Sequence, residues 1–387
     1  MNGWPRHVYV HVPFCAAKCH YCDFAVFVGR RASWETPYLE ALARELEHVL
    51  APFGGAYPEP IETLYFGGGT PTALSDGALE RLFELLAAAF PRRAAEIEVT
   101  IEANPEGLAE ARLRRLKALG VNRVSFGIQS FHDRHLRRLG RTHTARDAEA
   151  AVWAAFLAGI PRLSIDLIYG LPEETLEEWR VDLLQALRLP IEHLSAYALQ
   201  VEPKTRFGRL FAAGQLPLPD EDLAVAMYET LVQNAETTGF HAYEVSNFAR
   251  AGGESRHNLA YWKNVPYFGF GPGAHGYAFG MRYANTPSLP KYVRARETGA
   301  YRVEEQPVTR QAEIEETMFM GLRLTDGVDR AAFRARFGVE LEAVYGPTLK
   351  RLQEQGVIVV DRRGVRLVPQ ARLIMNSVLA EFLLDDH

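Results

Sequence analysis

Cys15, Cys19 and Cys22 are the only cysteines among 387 residues, and they lie in Phe14-Cys15-Ala16-Ala17-Lys18-Cys19-His20-Tyr21-Cys22 with the spacing C-x3-C-x2-C. An odd, clustered set without a distant partner cannot form a disulfide framework, so its thiolates are expected to hold metal in a reducing compartment. Two readings stay open at this level. With His20 the set could close a Cys3His zinc site, although His20 sits between two ligands, where its ring would be strained to point inward. Alternatively, the short spacings wrap one corner of an iron–sulfur cube, three ligands leaving one iron open for a substrate or cofactor.

The elements that must position this loop follow from periodicity. From residue 7 to about 205, short apolar runs alternate with amphipathic stretches, the pattern of repeated βα units on a parallel sheet. Strands are predicted at His7–Pro13, Thr63–Gly67, Glu96–Ala103, Arg123–Gln129, Arg162–Tyr169 and His193–Val201. Helices are predicted at Glu40–Leu50, Ala78–Ala89, Glu106–Ala118, Arg146–Ala158 and Leu176–Leu187. Six such units are too few for a closed eight-stranded barrel, so the fold class is α/β, a partial (β/α)6 TIM-like barrel. Ligands of such sheets bind at the C-terminal ends of the strands.

Those ends carry polar chemistry. The first strand runs into Cys15, and the second ends in Gly67-Gly68-Gly69-Thr70-Pro71, where glycines admit close backbone approach. The third delivers Glu102, the fourth Gln129 and the fifth Asp166, while Arg141 lies on the fourth crossover. Each taken singly could be a strand-end group satisfied by nearby backbone. Together they form one rim facing the cysteines.

The string from Tyr9 through His11, Pro13, Phe14 and the three cysteines to Tyr21, Asp23 and Phe24 resembles the radical S-adenosylmethionine superfamily. It is most similar to the branch containing oxygen-independent coproporphyrinogen III dehydrogenases and HemW-type heme chaperones. The resemblance implies a [4Fe-4S] cluster on Cys15, Cys19 and Cys22. It further implies S-adenosylmethionine held by Tyr9, Gly68, Gly69, Thr70, Glu102, Gln129, Arg141 and Asp166, with Tyr21 covering the cluster. Reductive cleavage of the sulfonium bond to a 5'-deoxyadenosyl radical is the chemistry it implies. Such a cofactor needs acids for its ammonium and hydroxyls and a guanidinium for its carboxylate.

Beyond Thr205 the pattern changes. Residues 206–310 read as a barrel-extending segment with a helix at Asp220–Thr238 and glycine- and aromatic-rich stretches. Among these, His257-Asn258-x2-Tyr261-Trp262 and Gly269-x-Gly271-Pro272-Gly273-Ala274-His275 match the same branch. His257 and His275 are therefore candidate heme contacts, against the plain alternative that each hydrogen-bonds a loop in place. Residues 311–387 read as a small winged-helix-like α+β domain: helices at Ala312–Leu322, Arg330–Phe337 and Leu341–Glu354, a hairpin of Val357–Asp361 with Gly364–Val368, and a helix at Ala371–Leu383. Acidic residues at least match basic ones there, so the domain is expected to serve as a lid or docking unit rather than a nucleic-acid reader.

The whole chain carries 43 Lys plus Arg against 48 Asp plus Glu, which argues against a general nucleic-acid or anionic-membrane surface. No long uncharged apolar run or secretory signal pattern appears, and a cytoplasmic location is expected. One departure discriminates within the branch: the dehydrogenase pattern continues with a fourth cysteine, and Phe24 stands there instead. The resemblance therefore favours a chaperone that binds heme as cargo and hands it to an acceptor protein. Radical decarboxylation of coproporphyrinogen III is the alternative, and a heme-degrading radical enzyme is more remote. A flavodoxin or ferredoxin would be the electron donor. Whether the chain is an enzyme at all stays open.

Overall fold

The structure, a computed structural model, describes residues 3–29 and 31–384. The extreme ends of the first and last assigned segments, residues 1–2 and 385–387, lie outside the described residues. Six strands, His7–Val12, Ile61–Gly68, Arg93–Ala103, Arg123–Gln129, Arg162–Tyr169 and His193–Ala198, pair in sequence order, all parallel. Crossover helices at Glu35–Leu50, Asp76–Ala89, Glu110–Ala118, Ala145–Leu157 and Leu176–Arg188 connect them.

The sheet is larger than six βα units. Tyr267–Phe270 adds a seventh parallel strand on the outer side of His7–Val12, and His275–Ala278, Met281–Asn285 and Arg302–Pro307 continue it antiparallel. At the other edge, Asn247–Ala249 and His241–Ala242 pair antiparallel beyond His193–Ala198. The twelve strands thus form an open sheet, with the first strand near its middle.

Alternation decides which face each side chain takes. Val8, Val10 and Val12 are fully buried on the helix side, where Tyr38 and Leu42 of helix Glu35–Leu50 also lie buried in the same cluster. Leu64, Phe66, Val99, Ile101, Val124, Phe126, Ile165 and Leu167 continue this layer along the sheet. Each such side chain contributes roughly 1.5–3 kcal/mol on burial. The opposite phase brings His7, Tyr9 and His11, Thr63 and Tyr65, Glu98 and Glu102, Arg123 and Ser125, and Ser164 and Asp166 onto the concave face. That interior is polar, a lining for chemistry rather than a packed plug.

Helix starts are fixed locally. Thr144 with Asp147 and Thr175 with Glu178 form capping boxes, each hydroxyl accepting from the backbone N–H three residues on. The first of these follows Arg141 by three residues and so sets how that crossover enters its helix. A second apolar cluster, from Ile314 to Phe382, gathers helices Arg310–Gly321, Arg330–Phe337 and Leu341–Glu354 with a three-stranded sheet. The ion pair Arg282–Glu316 (2.6 Å) and the bond from Arg336 to the Asn264 carbonyl (2.7 Å) tie it to the large sheet, while Arg336–Glu313 (2.7 Å) joins two of the cluster's own helices. The helix expected at Ala371–Leu383 is instead a 3-10 turn, Pro369–Ile374, followed by the short helix Met375–Ala380.

Candidate functional site

The cysteine loop leaves the end of the first strand and is closed by a short parallel pairing of Phe14–Cys15 with Phe27–Val28. All three thiols are free and partly exposed. Cys15 Sγ lies 3.6 Å from Thr70 Oγ1, Cys19 Sγ lies 3.5 Å from Arg141 Nη1, and the Cys22 N–H donates to the Cys19 carbonyl. Burial pushes the Cys15 thiol up to about 11 and the Cys22 thiol upward, so both stay protonated until a metal displaces the proton.

His20 clamps this loop instead of joining the ligand set. Its Nδ1 lies 2.7 Å from the Arg138 carbonyl, which fixes the proton there, and its Nε2 accepts from Arg206 at 2.8 Å. Its own N–H and carbonyl bond to Leu139 and Phe207. Neither ring nitrogen is left for zinc. Among the described residues no three His, Cys, Asp or Glu are grouped to hold a single ion. Three solvent-accessible thiols on one loop fit a cluster corner better.

The glycine segment is locked to the loop: Gly69 N–H donates to the Val12 carbonyl (2.9 Å) and Thr70 N–H to the Phe14 carbonyl (2.7 Å). Gly68 has φ +101, and a Cβ there would meet the His11 ring at 2.3 Å, so no side chain fits. Its N–H donates to Glu102 Oε2 (3.0 Å), and Tyr65 donates to Glu102 Oε1 (2.8 Å). Burial, reinforced by nearby Asp166, pushes the Glu102 carboxyl up to about 7. Because these N–H groups are engaged, the segment can still offer carbonyl oxygens, the acceptors an ammonium requires.

Arg141 donates through Nη2 to Asn104 Oδ1 and to the Gly127 carbonyl, both at 2.7 Å, while its buried Nε meets no partner among the described residues. Gln129 stands in the left-handed region at φ 74, just after a register shift between the fourth and fifth strands. Non-glycine residues held so cost about 1–3 kcal/mol and cluster at binding sites. Asp166 accepts from Ser125 at 3.3 Å, and burial raises its pKa against the opposing bond from Ser195. Tyr9 donates to His11 Nδ1 (3.1 Å), whose Nε2–H donates to the Ala25 carbonyl (2.8 Å). Burial pulls His11 down to about 4, so it is neutral. Tyr21 packs against the small cluster of Leu139, Ile168, Leu171, Phe207 and Leu216.

The structure therefore brings Tyr9, Gly68, Gly69, Thr70, Glu102, Gln129, Arg141 and Asp166 to one end of the sheet, around the three cysteines. Asn104 belongs with them. It donates to Thr70 Oγ1 (3.3 Å) and accepts from Arg141, bridging the glycine turn and the guanidinium. Its only sequence signal is its place two residues after Glu102 and just before Pro105.

The two histidines of the later motifs separate. His257 lies lower on the same polar face, its ring stacked on Tyr65 at 5.0 Å and 6.4 Å from that of Tyr9, with Nδ1 2.6 Å from Thr63 Oγ1 and Nε2 2.8 Å from the Tyr261 hydroxyl. Its N–H donates to Glu98 (3.0 Å), and it is 1% exposed. Both ring nitrogens are engaged, so this side chain pins helix Arg256–Trp262 to the sheet. His275 is exposed and follows the Gly271–Ala274 turn, which packs on the His11 carbonyl; it thus lies on the cysteine side.

Residues 9–185 match the Radical SAM superfamily, and residues 308–374 match the HemN C-terminal domain. The heme chaperone HemW of Bacillus subtilis is 40% identical, covering 98% of this chain and 99% of its own. That of Lactococcus lactis is 37% identical, covering 99% and 98%. Among solved structures, coproporphyrinogen III oxidase (HemN) from Escherichia coli superposes with a TM-score of 0.85 at 24% identity, covering 98% of this chain and 90% of that one.

Proposed function

As the chain belongs to the family of HemW heme chaperones within the radical S-adenosylmethionine superfamily, we propose that it binds heme and transfers it to acceptor proteins while carrying a [4Fe-4S] cluster and S-adenosylmethionine. The observation that carries this reading is the likeness to heme chaperones along nearly the whole chain, with the three cysteines and the polar rim gathered at one sheet end. When bound, the cluster would supply the reducing equivalent that breaks the cofactor's sulfonium bond.

The chain's own residues do the rest. Cys15, Cys19 and Cys22 are the iron ligands in this reading. Arg141, with its unpartnered Nε and its Nη1 beside Cys19, meets a carboxylate next to the cluster. Glu102 and Asp166 provide acceptors for an ammonium and for hydroxyls, and Asn104 holds Arg141 in place. Gly68 and Gly69 leave room for the ligand, with Tyr9, Thr70 and Gln129 completing the rim and Tyr21 closing one side. His275 is exposed on this side, whereas both ring nitrogens of His257 are engaged by Thr63 and Tyr261.

Phe24, 68% exposed beside the cysteine loop, occupies the place where the dehydrogenase pattern carries a further cysteine. It presents an apolar surface instead of a ligand, which favours carriage of heme over decarboxylation of coproporphyrinogen III. A cytoplasmic location, a flavodoxin- or ferredoxin-like electron donor and a separate heme-acceptor protein belong to the same reading. Among the described residues no helix is long and apolar enough to cross a membrane. The test is anaerobic incubation of reconstituted protein with coproporphyrinogen III, reductant and S-adenosylmethionine. The chaperone reading expects the substrate unchanged, and formation of protoporphyrinogen IX would overturn it.

A further inference from the structure

On the helix-covered side of the sheet, away from the cysteine loop, a cavity of about 650 Å³ opens between the last turns of helix Glu35–Leu50 and the antiparallel extension. This size lies within the roughly 300–1,000 Å³ of sites that enclose small ligands. One wall is aromatic. Phe279 lies 5.8 Å from Phe53 and 5.9 Å from Phe268, ring to ring, and Trp4 extends the group at 5.6 Å from Phe53 and 6.0 Å from Phe279.

Phe279 is held there against its own backbone preference. With Gly280 it forms the two-residue turn between His275–Ala278 and Met281–Asn285, with φ +53 and φ +77. Such turns favour Asn-Gly, because a left-handed bulky residue is strained by about 1–3 kcal/mol. Phe279 also remains 49% exposed, so half of its ring is open to a ligand while the other half packs on its aromatic neighbours.

The rest of the lining adds chemistry to the apolar wall. His48 is exposed in the last turn of its helix, and among the described residues neither ring nitrogen meets a hydrogen-bond partner. Met281 brings a thioether, and Arg302 is already paired with Glu305 and lies 4.2 Å over the Tyr283 ring, with buried Glu45 behind them. A flat aromatic ring system bearing a metal that takes imidazole fits the aromatic wall and His48, and an iron porphyrin has both. We propose that this cavity is the cargo site for heme, with His48 as the iron ligand and Phe279 stacked on the macrocycle. This assignment rests on the heme-chaperone reading and adds where the cargo sits, remote from the cluster.

The test is hemin titration of the reconstituted full chain, followed by gel filtration, for the wild type, His48→Ala, Phe279→Asn and His275→Ala. Asn suits the left-handed turn, so Phe279→Asn removes the ring without threatening the fold. We expect hemin to co-elute with the wild type and with His275→Ala. His48→Ala should shift the Soret band and bind at least tenfold more weakly, and Phe279→Asn should also lose affinity, with iron–sulfur absorbance unchanged in both. If both variants keep wild-type affinity and spectrum, or if only His275→Ala loses hemin, the cavity assignment falls and the chaperone reading stands. If the wild type retains no hemin, both fall.

Discussion

Arg141 Nη1 lies 3.5 Å from Cys19 Sγ, a contact that joins the fourth crossover of the sheet to a loop more than a hundred residues earlier. The same guanidinium is fixed by Asn104 and by the Gly127 carbonyl, so it is aimed before any ligand arrives. Preorganisation of this kind is what lets one charge decide the orientation of a small zwitterion.

Replacing Arg141 with Ala should therefore weaken S-adenosylmethionine binding while leaving the cluster in place. A hydrogen bond to a charged group contributes about 1.5–3 kcal/mol, so a loss of at least tenfold is expected. Equilibrium dialysis against reconstituted protein checks it, with iron content as the control. Asn104→Ala should act in the same direction and more weakly, because it releases the guanidinium without removing it.

Any of Cys15→Ala, Cys19→Ala or Cys22→Ala should abolish the broad visible absorbance of the reconstituted cluster. The thiols lie on a partly exposed loop outside the apolar core, so far-ultraviolet circular dichroism and the unfolding midpoint of cluster-free protein should barely change. Retention of one zinc per chain by the wild type, with no iron after anaerobic reconstitution, would contradict the ligand assignment.

Gly68→Ala tests the cradle. With φ +101 and the His11 ring 2.3 Å from the added carbon, the substitution should cost about 1–3 kcal/mol and disturb the bond from Gly68 N–H to Glu102. Denaturant unfolding should show the loss, and S-adenosylmethionine binding should fall with it. Gly77→Ala is the control: it lies in a helix with open space around it and should lower neither stability nor cofactor binding.

Burial holds Glu102 near 7 against an ordinary value of 4.5, so between those values the folded chain binds more protons there than the unfolded chain does. Its contribution to stability is therefore full below about 4.5 and is lost as pH rises through about 7. Glu45, near 7, and Glu174, near 8, act in the same sense, whereas buried His7, His11 and His135, pulled down to about 4, add stability as pH rises toward 6.5 and oppose them, so the loss in cluster-free protein should appear from about pH 6.5 to pH 8. Glu102→Gln should flatten this slope, as measured by urea midpoints across the range. An ammonium beside the carboxylate selects its ionised form, so cofactor affinity should rise over the same window in the wild type and not in the variant.

Much of this site was legible in the linear chain because its chemistry depends on local spacing. The cysteine loop, Glu102, Gln129 and Asp166 all follow runs whose alternation announces a strand, and strand ends converge in a parallel sheet. What pairs across long separations was not legible. Tyr267–Phe270 returns to the outer side of the first strand, and its glycines and aromatics hide the period-two pattern. The bridge made by Asn104 depends on Arg141 folding back over it. His257 and His275 stand in equally suggestive motifs, yet only the folded sheet shows that both ring nitrogens of His257 are taken by Thr63 and Tyr261 while its ring stacks on Tyr65.

Heme carriage by this chain is read out most directly by gel filtration of anaerobically reconstituted protein after addition of excess hemin. Heme should co-elute with the chain and then leave it when an apo heme-acceptor protein is supplied. Elution of the chain free of heme, with its cluster and S-adenosylmethionine intact, would contradict heme carriage.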